Sequence, residues 1–202
     1  MSHYFTNDYV KSDKKTIKVK IKNKDYSFNV DNGVFSKSGL DFGTRTLLES
    51  LDLDDIHGNV LDFGCGYGPI GIYIADNTDA NVDMIDVNER SLALAKENIG
   101  INKVETHIFK SDVYENVNKK YDFIITNPPI RVGKKILYNI LFEANNYLKD
   151  HGEMWLVVNK DQGAKSLLKD LSEIYDAEVV RKNKGFYIIR AKKRWQFDVI
   201  AL

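Results

Sequence analysis

A single cysteine, Cys65, stands among 202 residues, so no disulfide can form within the chain. The four histidines, His3, His57, His107 and His151, lack the close pairing that zinc sites use, and no metal is expected. Apolar runs are only a few residues long, against the roughly 20 that span a bilayer, and the opening MSHYFTNDYVK has no signal-peptide core. A cytoplasmic location and no membrane partner are expected. An excess of one charge is missing too: Lys+Arg 29 balances Asp+Glu 29. That excludes a global field drawing the molecule to polyanions and leaves only local patches to do so.

What is present is the composition of a folded protein, 43% hydrophobic and 29% charged. The length suits one domain with a small addition. Residues 15–30 alternate, with Ile17, Val19 and Ile21 on one side and Lys18, Lys20 and Lys22 on the other, then Tyr26, Phe28 and Val30. This reads as an antiparallel hairpin whose exposed face is a lysine strip. A short helix should follow with Thr44 as N-cap, burying Leu47, Leu48 and Leu51.

From Asn59 onward, short apolar runs alternate with helical patterns, predicting a parallel sheet covered on both faces. The strands are placed at Val60 to Phe63, Val82 to Asp86, Thr106 to Phe109, Phe123 to Thr126 and Met154 to Val158. Pro69 opens the first helix of this region. Ala177 to Val180 and Phe186 to Ile189 read as a terminal hairpin around the five residues Arg181 to Gly185. The expected fold is α/β, a Rossmann-like seven-stranded mostly parallel sheet with helices on both faces, a terminal antiparallel hairpin and a small N-terminal β-hairpin. Residues 1–32 are read as the basic extension and 33–202 as the main domain.

The first parallel strand runs into Asp62-Phe63-Gly64-Cys65-Gly66-Tyr67-Gly68, a glycine-rich strand-to-helix turn that lets a ligand approach the main chain. Asp86 ends the next strand, twenty residues after Gly66, where a carboxylate can accept both hydroxyls of a ribose. NAD and S-adenosylmethionine both suit this pattern. Asp62 beside the glycines favours the second, because it would repel a pyrophosphate and attract a methionine ammonium. Asp112, after the third strand, is placed to accept from an adenine amino group. Cys65 reads as a small filler rather than a nucleophile.

Thr126-Asn127-Pro128-Pro129-Ile130 ends the fourth strand, on the edge of the sheet where ligands bind. The two prolines hold the Asn127 amide and the Pro128 carbonyl as a rigid pair of acceptors. Methylation of an exocyclic or amide nitrogen needs such a pair, to orient a delocalised lone pair and stabilise the charge that develops on it.

Together with Gly33-Val34-Phe35-Ser36 and Leu40-Asp41-Phe42-Gly43-Thr44, these motifs resemble class I S-adenosylmethionine-dependent methyltransferases over roughly residues 33 to 192. More narrowly the chain resembles the methyltransferase small domain family, which includes bacterial small-subunit ribosomal RNA guanine-N2 methyltransferases. The resemblance implies that Asp62 and the Gly64, Gly66 and Gly68 backbone hold the methionine part, Asp86 the ribose and Asp112 the adenine. It further implies that Asn127 and Pro128 engage the target amine, while Phe35, Gly43 and Thr44 close the cofactor pocket. Many amino-methyltransferases carry an aromatic residue after the two prolines, where this chain has Ile130, so Phe35 or Phe42 is expected to stack on a flipped base.

Pro129, Ile130, Arg131, Phe42 and Lys134 are then the expected substrate contacts. Basic clusters at Lys11 to Lys24, Arg131 to Lys135, Arg181 to Lys184 and Lys192 to Arg194 would rim the opening. The expected partner is ribosomal RNA or a ribosomal subunit. An adenine N6 or a protein glutamine amide would use the same Asn-Pro-Pro chemistry. A non-catalytic RNA-binding module is the reading from another class, against which the intact glycine loop and Asn127 both speak.

Overall fold

A computed structural model of the chain describes residues 11–32, 39–129 and 133–194. Two strands, β1 (Lys15–Ile21) and β2 (Lys24–Val30), form an antiparallel hairpin. Its inward side chains Val19, Ile21, Tyr26, Phe28 and Val30 are buried, while Lys18, Lys20 and Lys22 point to solvent. A two-residue period produces this division, since successive side chains leave a strand on opposite faces. Not every lysine of the strip is free: Lys14 pairs with Glu97, Lys24 with Asp76, and the Lys22 ammonium donates to the Leu51 carbonyl.

The first helix, α1 (Phe42–Ser50), begins earlier than expected. Its N-cap is Asp41, whose carboxylate accepts from the Thr44 backbone N–H at 2.9 Å, and Thr44 lies inside the first turn. Both residue types cap well, but here the Thr44 hydroxyl is used elsewhere.

The main sheet then builds from β3 (Asn59–Phe63), β4 (Asn81–Asp86), β5 (His107–Lys110), β6 (Tyr121–Thr126), β7 (Leu148–Asn159), β8 (Tyr175–Asn183) and β9 (Phe186–Lys193). Their order across the sheet is β5-β4-β3-β6-β7-β9-β8, with β9 antiparallel to both neighbours and the remaining pairs parallel. The terminal hairpin is tighter than the sequence suggests. Only Lys184 and Gly185 connect its strands, both at positive φ (45° and 86°), the backbone a two-residue primed turn requires.

Helices α2 (Pro69–Asn77) and α3 (Glu89–Asn102) cover one face together with α1 and the hairpin, and α4 (Lys134–Tyr147) and α5 (Ala164–Leu171) cover the other. Strand alternation sorts the core accordingly. Phe123, Ile125, Trp155 and Val157 face α1 to α3, while Ile124, Met154, Leu156 and Val158 face α4 and α5. Fully burying one side chain such as Phe28 stabilises the fold by about 2 to 3 kcal/mol, so the hairpin is held by packing rather than by its turn.

Sheet order reverses between β3 and β6, with β4 and β5 to one side and β7 to the other. Crossovers leave a crevice there, at the carboxyl ends of the strands. The Thr126 hydroxyl donates to the Phe63 carbonyl at 2.9 Å, tying together the two strand ends that border it.

Candidate functional site

Chain leaving β3 forms the floor of this crevice. Gly64 and Gly66 both adopt positive φ, 69° and 56°, a region that side-chain-bearing residues avoid. A Cβ built on either would meet nothing within 4 Å, so the space above these glycines is open for a ligand to lie against the main chain.

Two carboxylates face the loop. Asp62 is fully buried; its Oδ2 accepts from the Gly71 N–H at 2.8 Å, but its Oδ1 is buried with no donor. Burial, with the nearby Asp86 charge adding to it, pushes the Asp62 pKa up to about 7. Asp86, at the end of β4, takes the Gly66 N–H on Oδ2 (2.9 Å) and the Asn88 N–H on Oδ1 (2.8 Å). Burial raises its pKa above the ordinary carboxylate value despite those bonds. A ligand bringing a cation to Asp62 and hydroxyls to Asp86 would relieve both groups.

Asp112 lies beyond the end of β5 with an exposed side chain; Ser111, just before it, donates its N–H to the Asp86 carbonyl at 3.1 Å. Cys65 is a buried thiol whose pKa burial raises well above the usual value, so it stays protonated and unreactive.

Past β6, Asn127 is anchored by contacts that cross 86 and 83 residues of chain. Its Nδ2 donates to Asp41 Oδ2 at 3.0 Å and to Thr44 Oγ1 at 2.8 Å. A carboxylate can only accept, so the amide must present nitrogen to Asp41, and its Oδ1 is the acceptor end of the group.

Gly43, next along α1, permits a close approach: a Cβ there would fall 2.9 Å from the Phe186 ring and 3.0 Å from Asp41 Oδ2. Phe42 and Phe186 have ring centroids 5.8 Å apart, and the Lys184 ammonium lies 5.2 Å above the Phe42 ring. Lys134 opens α4, after the Asn-Pro-Pro segment, with its ammonium 4.8 Å above Tyr138. Phe35, Ile130 and Arg131 lie outside the described residues.

One support of the glycine loop comes from the hairpin. Asn98 of α3 is fully buried, donating from Nδ2 to the Tyr67 carbonyl (2.8 Å) and the Asn29 carbonyl (3.0 Å) while its Oδ1 accepts the Asn29 N–H (2.6 Å). Phe28 meets the Tyr67 ring edge-on at 5.5 Å. The Tyr67 hydroxyl is buried without a partner, its pKa raised first by burial and then by the Asp41 charge.

Thus Asp62, Gly64, Gly66 and Asp86 gather in one crevice, with Thr44 and Asn127 joined by a hydrogen bond at its β6 side. The sequence places Asp41 in a motif without a role of its own, and it marks neither Asn98 nor Phe186 as part of a site. For Asp41 the available signal was an acid three residues before a threonine at a helix start. For the other two, long-range packing supplied the information. Among the described residues there is no cluster of three metal-ligating side chains, and no helix is long and apolar enough to cross a membrane.

Comparison with known proteins agrees with this geometry. Residues 25–190 match the family described as Methyltransferase small domain. An uncharacterized protein YbxB of Bacillus subtilis is 46% identical over 197 residues, covering 95% of this chain and 98% of the relative. Ribosomal RNA small subunit methyltransferase C of Psychromonas ingrahamii is 35% identical over 159 residues, 72% of this chain but 45% of the relative. Among solved structures, a T. thermophilus 16S rRNA N2 methyltransferase (RsmC) in complex with AdoMet and guanosine superposes with a TM-score of 0.81 at 25% identity. That match covers 90% of this chain and 51% of the other. The chain therefore spans about half the length of the ribosomal RNA methyltransferases it resembles. With a family match across most of its length and a fold and loop suited to the cofactor, the chain belongs to the methyltransferase small domain family and is a class I S-adenosylmethionine-dependent methyltransferase.

Proposed function

We propose that the protein methylates an exocyclic amine of a base in ribosomal RNA, and specifically N2 of a guanine in the small subunit. The observation that carries this is the fixed Asn127 amide, whose nitrogen is consumed by Asp41 and Thr44 so that Oδ1 is left as an acceptor for a substrate amine. S-adenosylmethionine, when bound, supplies a methyl group on a positively charged sulfur. The chain's own contribution is to hold and aim.

In this reading Asp62 and the backbone from Gly64 to Gly68 bind the methionine portion, with the unpartnered Asp62 Oδ1 accepting from its ammonium. Asp86 takes the ribose hydroxyls and Asp112 the adenine amino group. Thr44 and Gly43 border the pocket, with Phe35. Asn127 Oδ1 and the Pro128 carbonyl accept the two hydrogens of the target amine. That turns the nitrogen lone pair toward the methyl group and stabilises positive charge as the N–C bond would form and the methyl–sulfur bond would break. The electron pair would stay on sulfur and the surplus amine proton would pass to water. Pro128 and Pro129 fix φ, so the acceptors keep their direction during transfer.

Ribosomal RNA is favoured over other amines by the names of the relatives, ribosomal RNA small subunit methyltransferase C, and by a similar structure described with guanosine. Exposed Lys18, Lys20, Lys22, Lys134 and Lys135 supply the local positive charge that a phosphate backbone needs, while Pro129, Ile130, Arg131 and Phe42 would meet the base. The test is labelled methyl transfer to small-subunit RNA, free and assembled, from cells lacking the protein, followed by nucleoside identification. N2-methylguanosine is expected with the wild type, and none with an Asn127→Ala variant that still binds cofactor. Label in an adenine or a protein amide would overturn the guanine assignment.

A further inference from the structure

Next to Asp41, which holds the Asn127 amide, lies an aromatic surface that amine recognition alone does not require. Phe42 is the first residue of α1 and directly follows Asp41, the residue that holds the Asn127 amide. Phe186 begins β9 opposite Asn159, the last residue of β7. The absent side chain of Gly43 lets the Phe186 ring and the Asp41 carboxylate close on the same point, at 2.9 and 3.0 Å from where a Cβ would be. Neither ring is buried, and they tilt 49° to one another with centroids 5.8 Å apart.

A cation completes the group. Lys184 is exposed at the turn before Phe186, and its ammonium lies 5.2 Å above the Phe42 ring. Its φ of 45° is one that lysine seldom adopts, and the turn holds the residue close to the two rings. Partly exposed aromatic faces with a long-stemmed cation next to them match the chemistry of an unstacked nucleotide, a flat base with a phosphate attached.

We propose that Phe42 and Phe186 form the wall on which the target base rests once it has left its helix, and that Lys184 moves from the Phe42 ring to the phosphate of that nucleotide. The inference rests on the reading that the substrate is a base in RNA. Stacking on these rings sets the plane of the base, and the plane decides whether both amine hydrogens reach Asn127 Oδ1 and the Pro128 carbonyl together. The two phenylalanines are thereby specificity-determining residues, and Lys184 contributes affinity without reading the base.

The experiment compares methyl transfer to small-subunit RNA and cofactor affinity for Phe42→Leu, Phe186→Leu, Phe186→Tyr and Lys184→Asn. Each leucine variant should lower kcat/KM for RNA roughly 5- to 150-fold, the range for one base-stacking contact, with cofactor affinity within about twofold of wild type. Phe186→Tyr should keep most activity because it keeps the ring. Asparagine tolerates positive φ, so Lys184→Asn preserves the turn, and it should reduce the salt slope of RNA binding by about one charge. Leucine variants that transfer as fast as wild type would overturn the proposal, and so would leucine variants that lose cofactor affinity in step with activity, because that pattern assigns the rings to scaffolding. A wild-type protein inert on all ribosomal RNA would instead refute the underlying reading, a result distinguishable because it appears without any substitution.

Discussion

Cofactor binding should release a proton from Asp62, and the amount follows from the burial of that carboxylate. With its pKa pushed up to about 7, the ligand-free protein at pH 7 holds Asp62 about half protonated. An ammonium delivered to the unpartnered Oδ1 favours the ionised form, so binding at pH 7 should release about half a proton. Only the ionised fraction is ready to bind, which falls from about nine-tenths at pH 8 to about one-tenth at pH 6, so the cofactor Kd should rise roughly tenfold across that interval. Titration calorimetry in two buffers of different ionisation enthalpy measures both quantities at once. Asp62→Asn keeps an acceptor for Gly71 but cannot ionise, so it should bind weakly and without pH dependence. A wild-type Kd flat from pH 6 to pH 8, with heats independent of buffer, would refute the role given to Asp62.

The sign for stability runs opposite to that of most carboxylates. Its folded pKa is raised above the ordinary carboxylate value of 3.8, so the stabilising contribution is fully present below about 4 and is lost as pH climbs through 7. At its limit this amounts to roughly 4 kcal/mol. The ligand-free protein should therefore lose part of its Tm between pH 5 and pH 8, and saturating cofactor should reduce that loss.

Asp41→Ala removes the acceptor that turns the Asn127 amide. It should cut kcat by roughly 10- to 150-fold, the equivalent of one hydrogen bond to a charged group, while the cofactor Kd stays near wild type; unchanged kcat would remove Asp41 from the site. Asn98→Ala strands a buried carbonyl of the glycine loop together with the Asn29 N–H and carbonyl. At about 1 to 3 kcal/mol for each buried group left unsatisfied, Tm should drop by several degrees and cofactor affinity should fall too, whereas a Kd equal to wild type would show that the loop stands without the hairpin. Replacing Lys18, Lys20 and Lys22 together by glutamine should flatten the salt dependence of RNA binding, and an identical slope would confine that strip to solvation.

Much of the candidate site is legible in the sequence because it is local. Strand, glycine turn and helix follow one another from Val60 to Ala75, and the spacing from Gly66 to Asp86 is set by one intervening helix. Parallel strands likewise announced themselves as short apolar runs separated by helical stripes. The features that were missed depend on contacts across the fold. Asp41 and Asn127 meet over 86 residues, so no window of sequence contains both. The helix cap sits three residues before Thr44; Asp41 and Thr44 are both good caps, and no local pattern shows that Asn127 engages the Thr44 hydroxyl. Asn98 looks like an ordinary polar helix residue until the hairpin covers it. In the sequence the Lys184-Gly185 turn looks like a five-residue connection because lysine is an unusual choice for positive φ.

The antiparallel insertion of β9 between β7 and β8 bears on when a newly made chain becomes competent. On a ribosome the strands emerge in the order β7, β8, β9, yet β8 joins the sheet only through β9. Until Phe186 to Lys193 has been synthesised, the outer edge of β7 lacks its partner and α1 lacks the ring that closes against Gly43. Domains gain structure from the amino terminus as they are made, so the glycine turn and the Asn-Pro-Pro segment can be in place well before this last strand arrives. An enzyme whose substrate would be part of the ribosome thus has the pair of Phe42 and Phe186 completed by a late segment, and a product truncated before Phe186 would lack the surface proposed to take the base.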